Sequence, residues 1–346
     1  MTSKIKMLVL SLTGKCNFAC RYCYAAEHER ICMQKETALA ALQLAPRDES
    51  FILQFSGGEP LLNFKVLRAV VEQVEEEKLP AIMQIQTNAS LLTDEIALFL
   101  YKHKVAIGVS LDGRPHGNDK LRLKKSGYGA TGATLKGIEI LRRNNIACGI
   151  TCVVTAENVH ELSGIVDFAY FLGNIRKIGF DILRGQGRGV NLRPPAAKDM
   201  EAAMELVYAR RDTLTRLTGV YIEIAQQERV KTLCRGNCRT FGHCYAMNGE
   251  AAFVTANGNI YACSSLIGNQ DFYLGNVING LEQELVDKTK LFISESMDFC
   301  RHCPDFKLCG GGCFARWFGM ENKEDYGAEC AMKRVSIKQV VRRLKS

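Results

Sequence analysis

The stretch MLVLSLTGKCNFACRYCYA, residues 7–25, joins a run of apolar residues to three cysteines on one short loop. The apolar residues 7–13 predict a buried β-strand. Cys16, Cys20 and Cys23 follow this strand, and clustered thiols of this kind indicate metal ligation. Because structural zinc sites usually have four protein ligands, three thiols leave one coordination position for something other than protein.

Five further apolar stretches alternate with helical patterns, which predicts a parallel β-sheet covered by helices. The strands are predicted at residues 51–58, 81–88, 105–113, 147–155 and 177–185, and the clearest helices at 63–78, 93–103 and 132–145. Thr93 is expected to cap the second of these helices. Six strand–helix units are too few to close an eight-stranded barrel, so they favour a partial barrel that is open on one side.

Polar motifs follow the first four predicted strands. The cysteine loop follows the first strand, the sequence GGEP (57–60) the second, Thr87 and Asn88 the third, and Ser110 lies in SLDG (110–113) at the end of the fourth. A glycine after a strand is often only a turn residue. Four motifs at the carboxyl ends of parallel strands instead predict an active site along one rim.

Composition and length restrict the class of protein. The chain has 346 residues, 15 cysteines and a formal net charge of +8. It contains no apolar stretch long enough to span a membrane and no signal-peptide pattern, so we expect a cytoplasmic protein. In a reducing compartment, clustered cysteines favour metal sites over disulfides. Since no motif combines stacking aromatics with basic residues, we do not expect a nucleic-acid partner.

The pattern changes near residue 225, where glycine becomes frequent and most of the cysteines appear. We therefore predict two domains, residues 1–225 and 226–346. Residues 250–264 predict a β-hairpin that turns at Asn257 and Gly258. Two structural zinc sites are one interpretation of the later cysteines, but only one Cys-x-x-Cys pair occurs there.

The first cysteine loop resembles that of radical S-adenosylmethionine (SAM) enzymes. The resemblance rests on the spacing Cys16-x-x-x-Cys20-x-x-Cys23, with the aromatic Tyr22 directly before the last cysteine. It implies a 4Fe–4S cluster that is held by these three cysteines and that binds SAM through its fourth iron. It also implies reductive cleavage of SAM to a 5′-deoxyadenosyl radical, which abstracts a hydrogen atom from a substrate.

The same resemblance implies contacts to SAM. The GGEP motif would hold the methionine amino group, Ser110 the ribose and Arg122 the carboxylate, while Tyr22 would lie near the adenine, mainly through its backbone. The residues implied for SAM binding are Tyr22, Gly57, Gly58, Glu59, Pro60, Thr87, Asn88, Ser110 and Arg122. The resemblance supplies no general base.

The later cysteines resemble those of the SPASM domain, a seven-cysteine extension of radical SAM enzymes that holds two further 4Fe–4S clusters. The matching residues are Cys244, Gly258, Cys263, Cys300, Cys303, Cys309, Cys313 and Cys330. An eighth ligand is expected from Cys238, with Cys234 as the alternative. Family topology implies one cluster on Cys238, Cys244, Cys263 and Cys313, and another on Cys300, Cys303, Cys309 and Cys330.

Taken together, the sequence predicts an α/β fold, a partial (β/α)6 TIM-like barrel followed by a small cysteine-rich α+β SPASM domain. The resemblance implies an enzyme that oxidatively modifies a ribosomally made peptide by a thioether or carbon–carbon crosslink. It also implies a reducing donor such as flavodoxin or ferredoxin. Because the barrel begins near residue 7, we expect that either a separate protein binds a leader peptide or the substrate needs no leader-binding protein.

Two other functions stay open at this point. One is an enzyme that acts on a haem-like or other small cofactor precursor, and the other is a non-catalytic electron-transfer or zinc-scaffold protein. Sulfatase maturases of this family carry an aspartate directly after the cysteine that corresponds to Cys263, whereas this chain has Ser264. Arg184 and Arg188, in the glycine-rich loop 183–190, are expected to contact either substrate or solvent. Cys148 and Cys152 are expected to be buried in the fifth strand.

Overall fold

The computed structural model describes residues 4–236, 241–242, 244–320 and 323–345. Eleven β-strands lie in these described residues. Their bounds are β1 (Met7–Ser11), β2 (Phe51–Ser56), β3 (Ala81–Thr87), β4 (Ala106–Ser110), β5 (Cys148–Val154), β6 (Ile175–Ile182), β7 (Glu223–Ile224), β8 (Ala251–Val254), β9 (Asn259–Tyr261), β10 (Tyr273–Asn276) and β11 (Gly280–Leu281).

The same described residues contain thirteen α-helices, several of them a single turn. Their bounds are α1 (Lys35–Ala41), α2 (Phe64–Glu76), α3 (Asp94–Lys102), α4 (Pro115–Leu121), α5 (Thr131–Arg143), α6 (Leu162–Leu172), α7 (Ala197–Thr218), α8 (Ala225–Arg235), α9 (Gln283–Ser296), α10 (Asp298–Arg301), α11 (Phe306–Cys309), α12 (Phe314–Phe318) and α13 (Gly327–Lys345). The three helices predicted from periodicity are α2, α3 and α5. Thr93 caps α3 as expected, because its hydroxyl accepts a hydrogen bond from the Ile96 N–H at 3.2 Å.

The strands of the described residues form one sheet in the order β11-β10-β9-β8-β1-β2-β3-β4-β5-β6-β7. Strands β1 to β7 pair in parallel, each with the next along the chain. All six predicted strands are present, and the two-residue β7 is an addition that the sequence did not indicate. The predicted α/β fold, an open partial barrel, is confirmed.

The two faces of the barrel strands differ in polarity. In β2, the side chains of Phe51, Leu53 and Phe55 are buried, and burying each stabilises the fold by roughly 1.5–3 kcal/mol. The alternate side chains are only half-buried and include Gln54, which accepts a hydrogen bond from the Gln84 amide at 2.8 Å. The alternation shows that one strand face packs on the helices, while the other presents polar groups.

The C-terminal region continues the sheet of the barrel. The predicted hairpin is formed by β8 and β9, which pair antiparallel and turn at Gly258, whose φ is +85°. Strand β8 also pairs in parallel with β1, with Met7 opposite Ala251. The ladder therefore crosses the predicted boundary between residues 225 and 226, and the division into two domains stays a prediction.

Helix α13 packs against α7 and α8. The Tyr208 hydroxyl on α7 donates to Ser336 Oγ on α13 at 2.8 Å. In the part of the chain that the structure describes, no helix combines the length and apolar character that crossing a bilayer requires.

Candidate active site

The first cysteine loop leaves β1 and lies against the segment after α4. The Ala19 N–H donates to the Leu123 carbonyl at 2.7 Å, and the Arg21 N–H donates to the Leu121 carbonyl at 2.9 Å. Near the start of the loop, the Phe18 N–H points at Cys16 Sγ at 3.4 Å. These contacts fix the backbone of the loop, so the thiols of the three cysteines occupy defined positions.

The three thiols of this loop lie close enough to interact electrostatically. The pKa of Cys20 is raised to about 12, mainly by burial; Arg122 opposes this rise, while Asp112 and the thiols of Cys23 and Cys16 contribute to it. Burial likewise raises the pKa of Cys16. A metal centre that binds here must therefore displace protons, and metal binding is expected to release them.

The donor set suits an iron–sulfur cluster. Thiolates are the usual ligands of 4Fe–4S clusters, whose four irons spread the ligands farther apart than one ion does. No group of three or more His, Cys, Asp or Glu side chains within residues 4–236, 241–242, 244–320 and 323–345 is arranged to hold a single metal ion.

The two glycines of the GGEP motif pack directly on the cysteine loop. A Cβ on Gly57 would lie 2.4 Å from the Thr13 carbonyl oxygen, and one on Gly58 would lie 2.3 Å from that of Lys15. The Gly58 N–H donates to the Thr13 carbonyl at 2.7 Å. Only glycine fits such an approach, so these residues set the position of the cysteine loop against β2.

Glu59 is buried at the carboxyl ends of β2 and β3. Its carboxylate accepts hydrogen bonds from the Leu61 N–H at 3.1 Å, the Thr87 hydroxyl at 2.7 Å and the Asn88 N–H at 2.8 Å. Burial raises its pKa, and these hydrogen bonds oppose the shift. Glu59 thus joins the carboxyl ends of β2 and β3, and Pro60 starts a 310 turn that Glu59 caps.

Asn88 connects β3 to the cysteine loop. Its amide nitrogen donates to Asn17 Oδ1 at 2.9 Å and lies 4.0 Å from Cys16 Sγ. The side-chain amide of Asn88 therefore approaches a thiol of the first cysteine loop.

Arg122 is paired with a carboxylate of the protein. Its Nε lies 2.9 Å from Asp112 Oδ2, and its Nη2 donates to Oδ1 at 3.0 Å. The Tyr22 hydroxyl donates to the same carboxylate, and the guanidinium carbon lies 5.3 Å from the Tyr22 ring centroid. Burial alone would lower the pKa of Arg122, but Asp112 raises it overall.

Asp112 is the central residue of this group, and sequence analysis did not assign it. Its Oδ1 also accepts the Val153 N–H at 2.8 Å, and its own N–H donates to Asn118 Oδ1 at 2.9 Å. The sequence indicated only that Asp112 lies in SLDG, directly after β4. Because acidic residues are common in ordinary turns, the ion pair of Asp112 with Arg122 could not be inferred.

Ser110 belongs to the polar face of the sheet. Its hydroxyl accepts a hydrogen bond from Gln86 Nε2 at 2.9 Å, and the Gln86 carbonyl oxygen accepts from the Thr151 hydroxyl at 3.2 Å. These contacts join β3, β4 and β5. Gln86 and Thr151 are additional polar residues of this face that the sequence did not indicate.

The loop after β6 closes over the first cysteine loop. The Arg188 guanidinium Nε donates to the Cys20 carbonyl at 2.8 Å, and its backbone N–H donates to the Cys23 carbonyl at 3.0 Å. A Cβ on Gly187 would lie 2.5 Å from that same Cys23 oxygen. Arg188 therefore holds the cysteine loop, which is neither of the two roles expected for it.

Seven cysteines of the C-terminal region form two groups. The thiols of Cys244, Cys263 and Cys313 interact electrostatically with one another. The other group is Cys300, Cys303, Cys309 and Cys330. Burial raises the pKa of Cys313 to about 12 and that of Cys330 to about 11. Cys238, the expected eighth ligand, lies outside the described residues, and Cys234 is exposed at the end of α8. The assignment of these cysteines to two clusters therefore stays a prediction.

Two of the remaining cysteines are buried in β5, as predicted. Cys148 is 5% exposed and Cys152 is fully buried, and burial raises the pKa of both thiols. Cys32 is half-buried, and its thiol lies 3.5 Å from the Thr13 hydroxyl.

A cavity of about 340 Å³ lies between the barrel rim and the C-terminal region. Its lining includes Tyr24, His28, Gln186, Tyr261, Ser265 and Phe318. Burial lowers the pKa of His28, which favours a neutral imidazole, and its ring meets the Tyr24 ring edge-on at 6.1 Å. The cavity is bounded both by the segment after Cys23 and by the segment after Cys263.

Comparison with known proteins identifies the family. The radical SAM superfamily profile matches residues 10–169. Uncharacterized protein MJ0907 of Methanocaldococcus jannaschii is 32% identical over 322 residues, covering 92% of this chain and 98% of that protein. The radical SAM cyclopropyl synthase TigE of Paramaledivibacter caminithermalis is 26% identical over 99% of this chain and 75% of its own length. A serine-type anaerobic sulfatase-maturating enzyme of Klebsiella aerogenes is 26% identical over 89% of this chain and 79% of its own length.

Solved structures share the fold over nearly the whole chain. The structure of native anSMEcpe with bound AdoMet and Cp18Cys peptide has a TM-score of 0.78 at 20% identity and covers 98% of both chains. Streptococcus suis SuiB bound to precursor peptide SuiA has a TM-score of 0.67 at 18% identity, over 93% of this chain and 74% of that one.

The chain therefore belongs to the radical SAM superfamily, as the cysteine loop predicted. It is a radical SAM enzyme of the maturase type, and the family carries a 4Fe–4S cluster and SAM.

Proposed function

We propose that this enzyme cleaves SAM reductively and oxidatively modifies a ribosomally made peptide through a thioether or carbon–carbon crosslink. The observation that carries the proposal is the cavity, which places the segment after the first cysteine loop opposite the segment that follows Cys263. A substrate bound there would adjoin both the radical-generating site and a C-terminal cysteine group. Relatives that bind or modify peptides support the choice of substrate.

In this proposal, Cys16, Cys20 and Cys23 ligate the first cluster. When bound, the cluster and SAM supply an electron and a 5′-deoxyadenosyl radical that takes a hydrogen atom from the substrate. Asn88 and the backbone of Gly57 and Gly58 fix the loop that carries the thiols.

The other residues implied for SAM binding divide into two roles. Tyr22, Glu59, Pro60 and Thr87 hold rim segments together through contacts within the protein. In addition, the GGEP motif is proposed to hold the methionine amino group, and the backbone of Tyr22 is proposed to lie near the adenine. Ser110 and Arg122 are proposed to contact SAM directly. Arg122 stays charged beside Asp112. Its guanidinium can therefore bind the SAM carboxylate only while it also pairs with Asp112.

We further propose that the C-terminal groups hold two auxiliary 4Fe–4S clusters. Cys300, Cys303, Cys309 and Cys330 supply a complete set of four thiolates. Cys244, Cys263 and Cys313 supply three, and Cys238 is the preferred fourth, with Cys234 as the alternative. A flavodoxin or ferredoxin would deliver electrons.

The substrate is proposed to differ from that of sulfatase maturases, although such enzymes are among the relatives. Ser264 follows Cys263, so the carboxylate expected of a sulfatase maturase is missing at that position. The side chain at this position is too weak a base to replace an aspartate.

The test is anaerobic reconstitution followed by reaction with SAM, dithionite and a short peptide encoded beside the gene. We expect 5′-deoxyadenosine and a peptide that has lost two hydrogen masses, with about twelve irons per chain. The Cys16→Ala/Cys20→Ala/Cys23→Ala variant should form no 5′-deoxyadenosine yet keep about eight irons. Failure of the reconstituted wild-type protein to cleave SAM would refute the proposed function.

A further inference from the structure

The cavity is lined by carboxylates but not by basic side chains. Among the residues that the structure describes, Glu27 and Glu29 line it, and no lysine or arginine does. His28 lies between them in the chain, and burial lowers its pKa and so keeps the imidazole neutral. The whole chain differs, since its 45 lysine and arginine residues outnumber its 37 aspartate and glutamate residues. The cavity is therefore an acidic region of a basic protein.

Neither carboxylate is neutralised by a basic partner. Both side chains are exposed, and neither forms an ion pair within the described part of the chain. One oxygen of Glu29 accepts a hydrogen bond from Asn257 Nδ2 at 3.1 Å. Arg184 does not line the cavity, because its guanidinium carbon lies 4.9 Å from the ring centroid of Tyr24 and the guanidinium pairs with Asp181 at 3.0 Å. Both negative charges are therefore available to a ligand.

The backbone around Glu29 is held against the start of the first cysteine loop. The Glu29 carbonyl accepts a hydrogen bond from the Ile31 N–H at 2.9 Å. A Cβ on Gly14 would lie 2.1 Å from the same carbonyl oxygen, so the two segments are in direct contact. Asn257, which contacts the Glu29 side chain, belongs to the turn between β8 and β9. Glu29 thus has a fixed place where the cysteine loop meets the C-terminal region.

Gln186 adds a hydrogen-bond acceptor to the cavity lining. Its Nε2 donates to the Ala315 carbonyl at 3.2 Å, which fixes the orientation of the amide. Its Oε1 is buried and has no hydrogen-bond partner among the residues that the structure describes. Because an amide oxygen only accepts, it requires a donor. The rings of Tyr24, Tyr261 and Phe318 also line the cavity, and aromatic rings attract cations and pack on the aliphatic stems of lysine and arginine.

We propose that the cavity selects peptides that place a lysine or arginine side chain in it, and that Glu27 and Glu29 determine this specificity. The inference rests on the proposed function, because it takes the cavity as the substrate site. Ammonium and guanidinium groups supply only donors, which matches the acceptors of the two carboxylates and of Gln186. An anionic substrate, such as a cofactor precursor that carries carboxylates, would be repelled.

The test is isothermal titration calorimetry of the reconstituted full chain, without reductant, against short blocked peptides. The peptides have the sequence Gly-Ser-Xaa-Ser-Gly, where Xaa is lysine, arginine, norleucine or glutamate. We expect the lysine and arginine peptides to bind roughly tenfold more tightly than the norleucine peptide, and the glutamate peptide to bind most weakly. The preference should weaken as the salt concentration rises, because both carboxylates are exposed.

Four variants assign this preference to the two carboxylates. Glu27→Gln/Glu29→Gln should abolish it, and Glu27→Lys/Glu29→Lys should make the glutamate peptide the tightest of the four. Glu72→Gln removes a charge from the exposed surface of α2 as a matched control and should match wild type. In wild-type protein, the lysine peptide should also protect Glu27 and Glu29, but not Glu72, from carbodiimide labelling read by mass spectrometry. Gln186→Met should weaken binding of the lysine and arginine peptides more than that of the norleucine peptide.

The outcomes separate this inference from the proposed function. Equal binding of the lysine and norleucine peptides, or no binding of any of the four, would overturn the inference. A lysine preference that persists in Glu27→Gln/Glu29→Gln would overturn it as well, because the charge would then be recognised elsewhere. If wild-type protein cleaves SAM but shows no preference for cations, the proposed function stands and only the specificity fails. If the preference is present but SAM is not cleaved, the proposed function fails instead.

Discussion

Replacement of Asp112 by asparagine tests the buried charge group beneath the first cysteine loop. The Asp112 side chain is fully buried, and that of Arg122 is 7% exposed. In Asp112→Asn the guanidinium of Arg122 stays buried but loses its counter-charge. Removing one partner of a buried ion pair typically costs about 3–5 kcal/mol.

The size of the chain determines how far this loss of stability lowers the melting temperature, Tm. At about 2.1 cal/mol/K per residue, unfolding 346 residues involves an entropy of about 0.7 kcal/mol/K. A loss of about 3–5 kcal/mol then lowers Tm by about 4–7 °C. The measurement is thermal unfolding of metal-free, reduced protein, followed by circular dichroism so that loss of a cofactor does not contribute.

Two further variants make this prediction specific. Asp167 pairs with Arg114 and Arg210 near the surface, so Asp167→Asn should cost about 1 kcal/mol or less. The double variant Asp112→Asn/Arg122→Met should be more stable than Asp112→Asn alone, because it leaves no unpaired guanidinium. A Tm for Asp112→Asn within about 1 °C of wild type would refute the reasoning.

Three other predictions concern the loop, the cavity and the cysteine groups. Gly58→Ala should prevent stable cluster binding at the first cysteine loop, because the new Cβ would clash with backbone atoms. Gly132→Ala is the control, since a Cβ there has no atom within 4 Å, and it should bind the cluster normally. The measurement is the iron content of each variant. Since burial lowers the folded-state pKa of His28, the unfolded chain binds its proton first, and stability falls as pH drops below about 6.5. Urea unfolding at pH 7 and at pH 5 should show a smaller fall in the free energy of unfolding for His28→Gln than for wild type. Equal falls in the two proteins would exclude this effect of His28 titration. Cys313→Ala should lose up to four irons, whereas Cys152→Ala should lose stability but no iron.

Local sequence patterns predicted the elements of this fold well. The apolar run at residues 51–58 and the Asn257–Gly258 turn each determine structure within a few neighbouring residues, and both are present as expected. The assignment of the C-terminal cysteines to two clusters, which the resemblance implies, stays a prediction. The pairing of β8 with β1 could not be predicted, since neither strand carries a signal that names its partner.

The partners of the charged rim residues could not be predicted from the sequence. Glu59 accepts hydrogen bonds from three donors of the protein, and Arg122 pairs with Asp112. A residue type and its spacing show that a charge is present at the rim. They do not show which neighbour neutralises it, because that depends on how three or more segments meet in space.

The parallel pairing of β8 with β1 has a consequence for biosynthesis. Lys6 and Glu250, which form an ion pair beside these strands, are 244 residues apart in the chain. At about 5–20 residues per second, the ribosome completes β8 roughly 12–50 seconds after β1. During that interval one edge of β1 has no partner strand and can pair with other nascent chains. The strand that leads into the cysteine loop is thus the first to be made and among the last to be enclosed, so expression at lower temperature with slow induction should favour soluble chains that can still accept iron.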